Sequence, residues 1–379
     1  MKKIFYFLMV VCLLSCGEET SKNVQLKKAG KELTLELDER TKSCSRALFL
    51  YEDPSGKEYV TFQNDFKNEI CFYDFKTQKL EFKVTPAREG NNGVGDMLGY
   101  YIHDLDHIYL TSRYRPEVSV VDKAGILKEK YSYRKSVDGV PLRNGYSCSM
   151  FSGPIVEIGD QIYVTSSCDR RVEVNPVSVV IDKNTKEVRY LPFFYPTLPI
   201  EINKYKAASF EEHRNRIYDG KQFVYSFFNE EDLYIASVDH QTITRKKAKS
   251  QYIEKVDYLD DFGNVTSQEL CEHRIYGLIL YDKYRQVYYR VAHPKSELNI
   301  KLKDREYIDL FEYGRKNFSI IIMDKDFNVI GETMFPDYTY NSNMMFVHKN
   351  GLYISASHAF NENYSDDILQ FHCFELVKE

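Results

Sequence analysis

Two sets of charged residues stand out as able to do chemistry. The first is a pair of arginine-bearing segments, Ser112–Arg113–Tyr114–Arg115 and Ser167–Cys168–Asp169–Arg170–Arg171. A guanidinium binds carboxylate, sulfate or phosphate through two parallel hydrogen bonds, so two such pairs side by side would clamp an anion. Arg113, Arg115, Arg170 and Arg171 are therefore candidate ligand-binding residues. The same arginines also fit ordinary solvated loops, paired with Glu117 and Glu173. The second set is an echoed triplet, Glu212–His213–Arg214 and Glu272–His273–Arg274. Histidine beside a carboxylate can move protons, which adds His213, Arg214, His273 and Arg274 to the candidates. A plainer reading makes both triplets relics of a repeat whose side chains bridge neighbouring units. No catalytic residue is assigned by either set.

The elements that must position these residues repeat along the chain. An apolar strand such as Gln161–Ser166 is followed by a loop, a second strand such as Val179–Asp182 and a tight turn, Lys183–Thr185. Approximate copies place tyrosines at 59, 109, 163, 225, 288 and 353, about 50 to 65 residues apart. Recurrent strand units of this length indicate an all-β propeller or solenoid. With four strands per unit, the expected fold is a six-bladed β-propeller, or seven-bladed if 250–272 and 293–317 hide irregular strands. The last unit runs out one strand short. Glu32–Leu37 alternates polar and apolar residues and is expected to close the last blade from the N-terminal side. In such a ring the second-to-third strand loops and the connectors between blades share one face, which would gather the arginine segments. The Asp that follows each third strand reads as a turn cap.

Several chemistries find no support. The net charge is −5, with 51 Lys and Arg against 56 Asp and Glu, so no basic excess points to nucleic acid. There is no Trp, which excludes the repeat pattern of quinone-cofactor propellers and the sialidase Asp-box. The glycine-bearing loop Arg88–Gly95 leads into no helix, so it is no phosphate cradle. No GxSxG stands out, no Cys/His spacing suggests zinc, and no cofactor or metal is expected.

The start of the chain carries an address. Met1–Lys3 is basic, Ile4–Leu14 is apolar but too short to span a bilayer, and Leu13–Leu14–Ser15–Cys16–Gly17 follows. This resembles the bacterial lipoprotein signal and implies cleavage before Cys16 and acylation of that residue. The expected organisation is a signal peptide over 1–15, a lipidated tether over 16–30 and one propeller domain over 31–379. The implied location is the outer membrane, on its periplasmic or cell-surface side, with the membrane as one partner through the lipid. As a whole the chain resembles uncharacterised six-bladed propeller lipoproteins of Bacteroides-type bacteria, a family that carries over no catalytic residues. Of the remaining cysteines, Cys148 and Cys168 flank the first hairpin of the third unit, and its register brings them near one another as a candidate disulfide. Cys44, Cys71 and Cys373 read as buried thiols.

The first functional reading is a lipid-anchored envelope propeller that binds a glycan, an anionic small molecule or an envelope protein on its loop face. One alternative is a glycan-active hydrolase or lyase using His, Arg and Glu at the channel mouth. Another is a structural subunit of an envelope complex. A deep polar pocket with clustered ionisable groups would favour the enzyme, and a flat apolar patch the subunit.

Overall fold

The computed structural model describes residues 23–64, 67–142, 152–169, 171–197, 213–259 and 265–379. Strand β1 (Val24–Glu36) comes first. Four antiparallel sheets of four strands follow in chain order: β2 (Leu48–Glu52), β3 (Glu58–Asn64), β4 (Glu69–Asp74) and β5 (Leu80–Val84); β6 (Met97–Asp104), β7 (His107–Ser112), β8 (Glu117–Val121) and β9 (Leu127–Ser132); β10 (Val156–Ile158), β11 (Gln161–Thr165), β12 (Ser178–Asp182) and β13 (Val188–Tyr190); β14 (Arg214–Tyr218), β15 (Phe223–Phe227), β16 (Asp232–Ala236) and β17 (Ile243–Lys247). Then come α1 (Ser267–Glu272), β18 (Ile275–Asp282), β19 (Val287–His293), α2 (Asp304–Tyr313), β20 (Phe318–Met323), β21 (Val329–Phe335), β22 (Asn341–His348), β23 (Gly351–Ser355) and β24 (Ile368–Lys378).

Burial follows position in the sheet. The second strands β3, β7, β11, β15, β19 and β23 are buried along almost their whole length. They hold the recurrent tyrosines, all buried, and pack on both faces between neighbouring sheets, which is why they read as continuous apolar runs. Outer strands such as β17 are mostly exposed. The turn aspartates cap as expected: the carboxylates of Asp74, Asp122, Asp182, Asp239 and Asp324 accept backbone N–H groups two to four residues on.

The expected ring of six or seven separate four-stranded blades is not what forms. Beyond the four four-stranded sheets, which make a propeller-like ring, the rest of the chain builds one eight-stranded sheet in the order β18-β19-β20-β21-β1-β24-β23-β22. Its edge strands β18 and β22 lie next to each other, so the sheet nearly closes on itself like a barrel. Strand β1 is responsible. It pairs antiparallel with β24, from Val24↔Lys378 to Glu36↔Ile368, and also meets β21 in parallel at Val24↔Gly331. Rather than completing a separate last blade, β1 is an interior strand that fuses two halves. The segments that might have hidden a seventh unit instead contain α1 and α2, which pack on each other through Cys271, Leu298, Tyr307 and Leu310.

Buried arginines tie neighbouring sheets together. Arg290 on β19 lies 3.8 Å from the centroid of the Tyr276 ring and donates to the carbonyls of Glu230, Glu231 and Ala248 at 2.6–2.9 Å. Arg216 on β14 reaches Ser178 Oγ and the Pro154 carbonyl in the preceding sheet. Carbonyls at strand ends would otherwise lack donors, and a guanidinium supplies several in one fork.

Candidate functional site

The first strands of the four small sheets, β2, β6, β10 and β14, and the two edge strands β18 and β22 surround a common cavity of about 670 Å³. It lies toward the ends where these strands turn into their first hairpins, because its wall includes Glu52, Ile102, Glu157, Asp219 and Tyr284 at or beside those turns. Much of the wall is apolar and aromatic, with Tyr51, Tyr101, Tyr218 and Tyr281 among its residues. Some of these rings are held by edge and face contacts: Tyr51 stacks on Tyr59 and meets Phe72 edge-on.

Charge enters this wall at Glu157, the middle residue of β10. Its side chain is only 7% exposed, yet it meets the Lys183 ammonium and the His103 imidazole. Lys183, just past β12, donates to Oε1, and His103 near the end of β6 places Nδ1 3.0 Å from Oε2. Burial and the Glu157 charge together hold the Tyr109 hydroxyl far above the usual phenol range, and the same two causes raise Tyr101. His103 is half exposed beside the rim, with Asp104 and His107 as neighbours. A buried carboxylate beside an accessible imidazole is an arrangement suited to proton transfer, and in this geometry Glu157 Oε2 makes no hydrogen bond to a partner among the described residues. Neither His103 nor Glu157 stands out in the sequence. A polar residue stands at or just past the end of the first strand at Glu52, Asp104 and Asp219, but Glu157 lies one residue inside β10, so that pattern did not point to it.

Residues 23–334 match a family described as a domain of unknown function, DUF4221. The chain belongs to the DUF4221 family. A crystal structure of a DUF4221 member from Bacteroides vulgatus is similar over 95% of this chain and 100% of that one, with a TM-score of 0.79 and 26% sequence identity. A second solved structure, of a protein from Bacteroides fragilis, shares the fold at a TM-score of 0.54 and 10% identity, covering 95% of this chain and 96% of that one. No curated protein sequence matches.

The residues singled out in the sequence lie at the other end of this DUF4221 fold. Arg113 and Arg115 sit between β7 and β8, and Arg171 sits between β11 and β12, on the connector side. Arg115 comes within 3.8 Å of Glu117. Arg171 makes two hydrogen bonds to Asp169, at 2.8 and 3.2 Å. Arg170 lies outside the described residues, as do Glu212, Cys16 and Cys148; Cys168 is buried. The triplet residues open the first strands of their units. His213 stacks on Phe228, and Arg214 donates to the Ser166 carbonyl at 2.8 Å. His273 and Arg274 both face Asp257, at 3.7 and 2.6 Å, and burial lowers the His273 pKa. Buried polar side chains thus gather near both ends of the central channel, but the cavity belongs to the hairpin end.

Proposed function

We propose that this chain is a glycan-active hydrolase working at the tyrosine-lined mouth of its central cavity. The observation that carries the proposal is Glu157, a buried carboxylate in the cavity wall with His103 at 3.0 Å. In this reading the carboxylate beside the ring stabilises the positive charge that the imidazole carries while it holds the proton. His103 then gives its proton to the glycosidic oxygen as the C–O bond breaks. Water adds to the anomeric carbon, and the proton it sheds returns to the imidazole. Lys183 balances the remaining charge on Glu157. The tyrosine rings offer flat faces against which sugar rings can lie. A cavity with clustered ionisable groups favours an enzyme over a purely structural subunit. The carboxylates of Glu52 and Asp219 in the same wall would repel a uronate, which favours hydrolysis over elimination. In this reading Cys16 carries the lipid that holds the enzyme at the outer membrane.

The test is release of reducing ends when the full chain is incubated with a panel of oligosaccharides. His103→Gln should slow turnover by about 100-fold or more and leave the melting temperature unchanged, because the side chain is half exposed. No release from any glycan, or an undiminished rate in His103→Gln, would overturn the assignment.

A further inference from the structure

We propose that the cavity takes its glycan end-on, so that the chain is shortened from a terminus instead of being cut internally; the inference rests on the reading of the cavity as a glycan-hydrolysing site. Burial along the first strands carries it. In β6, residues 97–100 are buried, Tyr101 and Ile102 are half-buried and His103 is exposed. In β14, residues 214–217 are buried, Tyr218 is half-buried and Gly220, just beyond, is exposed. In β18, residues 275–279 are buried, Leu280 and Tyr281 are half-buried and Lys283, just beyond, is exposed. Solvent thus reaches the space inside these strands from the hairpin end. The connector end is closed, and α2 lies against it. The Glu312 carboxylate pairs with Arg46, just ahead of β2, and the Glu312 carbonyl accepts from Asn343 Nδ2 on the neighbouring β22 at 2.8 Å.

A tunnel open at both ends would let a polymer thread through, and an open groove would admit it sideways. A blind cavity ringed by strands admits only what enters through its mouth. Its volume of about 670 Å³ lies in the range of pockets that enclose one small ligand. Strand β2 lends all 5 of its residues to the wall, which makes the cavity roughly 15 Å deep at about 3.3 Å per residue. That leaves room for a short run of sugar rings and not for a chain that doubles back. His103 stands directly after Ile102, the last β6 residue in the wall. The bond it acts on therefore lies at the mouth, and the units between that bond and the terminus fill the cavity. Each cut consumes one water, whose hydroxyl ends on the anomeric carbon and whose proton replaces the one that His103 gave to the leaving oxygen. Successive cuts from one terminus then release pieces of one size, set by the depth. The charged residues Glu52, Asp219 and Lys283 stand at the hairpin turns, whereas the deeper wall holds Leu48, Ile155 and Met345. A charge buried there would lack a partner, so the terminal sugar is uncharged.

Linear oligomers of glucose, mannose and N-acetylglucosamine, incubated with the full chain, test this. Each is used unmodified, with a bulky fluorophore on its reducing end, and with a benzylidene acetal on its non-reducing end. Early products should have one size. One of the two blocks should slow turnover at least tenfold, and the other should be tolerated, because only one terminus enters the cavity. A ladder of all sizes at early times, or equal tolerance of both blocks, would overturn end-on entry and leave the hydrolase standing. Turnover of none of the oligomers, blocked or unmodified, would overturn the hydrolase reading and end-on entry with it.

Discussion

His240 is buried and still has a partner for each ring nitrogen. Nδ1 faces the Val238 carbonyl at 3.1 Å, so it must carry the proton. Nε2 then accepts from the Tyr225 hydroxyl at 2.5 Å. Tyr225 in turn accepts from Ser178, which accepts from Arg216. The directions are consistent only while the ring is neutral, and burial lowers the His240 pKa to about 4. His358, whose Nε2 donates to the Gly314 carbonyl and whose Nδ1 accepts from the Phe360 N–H, is also lowered to about 4 by burial. In the unfolded chain both would titrate near 6.5. Between the two values the unfolded state binds more protons, so stability must fall as the pH drops from about 6.5 toward 4 and level off below. Each histidine contributes roughly 2–3 kcal/mol to that fall. Urea midpoints measured from pH 7.5 to 4.5 should show it. His240→Asn suits the positive φ of 56° at this position and should flatten the slope; parallel profiles for wild type and variant would contradict the account.

At the scale of elements, β1 decides how the last third of the chain assembles. Leu26 packs into one core cluster, whereas Leu33 and Leu35 pack into another. Strand alternation alone does this: Val24 and Leu26 occupy even positions and face one side, whereas Leu33 and Leu35 occupy odd positions and face the other, and the two-residue shift between Lys28 and Glu32 leaves that alternation unchanged. At its start β1 meets β21 so closely that a Cβ on Gly331 would lie 1.8 Å from the Val24 carbonyl oxygen. The Thr333 hydroxyl accepts the Leu26 N–H beside it at 2.8 Å. Gly331→Ala should therefore push β1 away from β21 and destabilise the fold by about 1–3 kcal/mol, the usual cost of overpacking. Gly30→Ala, with open space around the new methyl, is the matched control. A Gly331→Ala protein that melts like the control would show that the fusion of the two halves contributes little.

The whole molecule has two unlike ends. The connector end carries α1, α2 and the arginines that first drew notice, with Arg115 and Arg171 each beside a local acid. The hairpin end holds the cavity, with Glu52, Asp219 and Lys283 in its wall, and the His103–Glu157 pair. Strand β1 begins at Val24, so only about seven residues separate Cys16 from the folded body. A lipid on Cys16 would hold the protein close to the membrane surface. Cys16→Ser should abolish acylation and release the chain from the membrane fraction, because only the sulfur accepts the first acyl-bearing group and stable anchoring needs more than one chain. Unchanged membrane retention of the variant would remove the anchor from the proposal.

Much of the fold was legible because it is local. Tyrosine-centred apolar strands, polar outer strands and aspartate-capped turns are set by residues a few positions apart, and the sequence alone determines that the chain is all-β; the four-stranded unit it suggests throughout forms only over β2–β17. The alternation in Glu32–Leu37 was visible for the same reason. The first half of β1 was not, since its apolar residues Val24 and Leu26 fall on even positions and Leu33 and Leu35 on odd ones, so no single alternation runs through the strand. Only the tertiary structure decided that β1 would join β21 as well as β24, because Val24 and Gly331 are about 300 residues apart and their contact depends on a missing side chain. The same holds for the site. His103, Glu157 and Lys183 are scattered over three hairpins and become neighbours only when β6 and the β10–β13 sheet stand side by side. Local spacing encodes strands and turns; the pairing of distant strand ends, which encloses the cavity and sets its charge, is a property of the assembled chain.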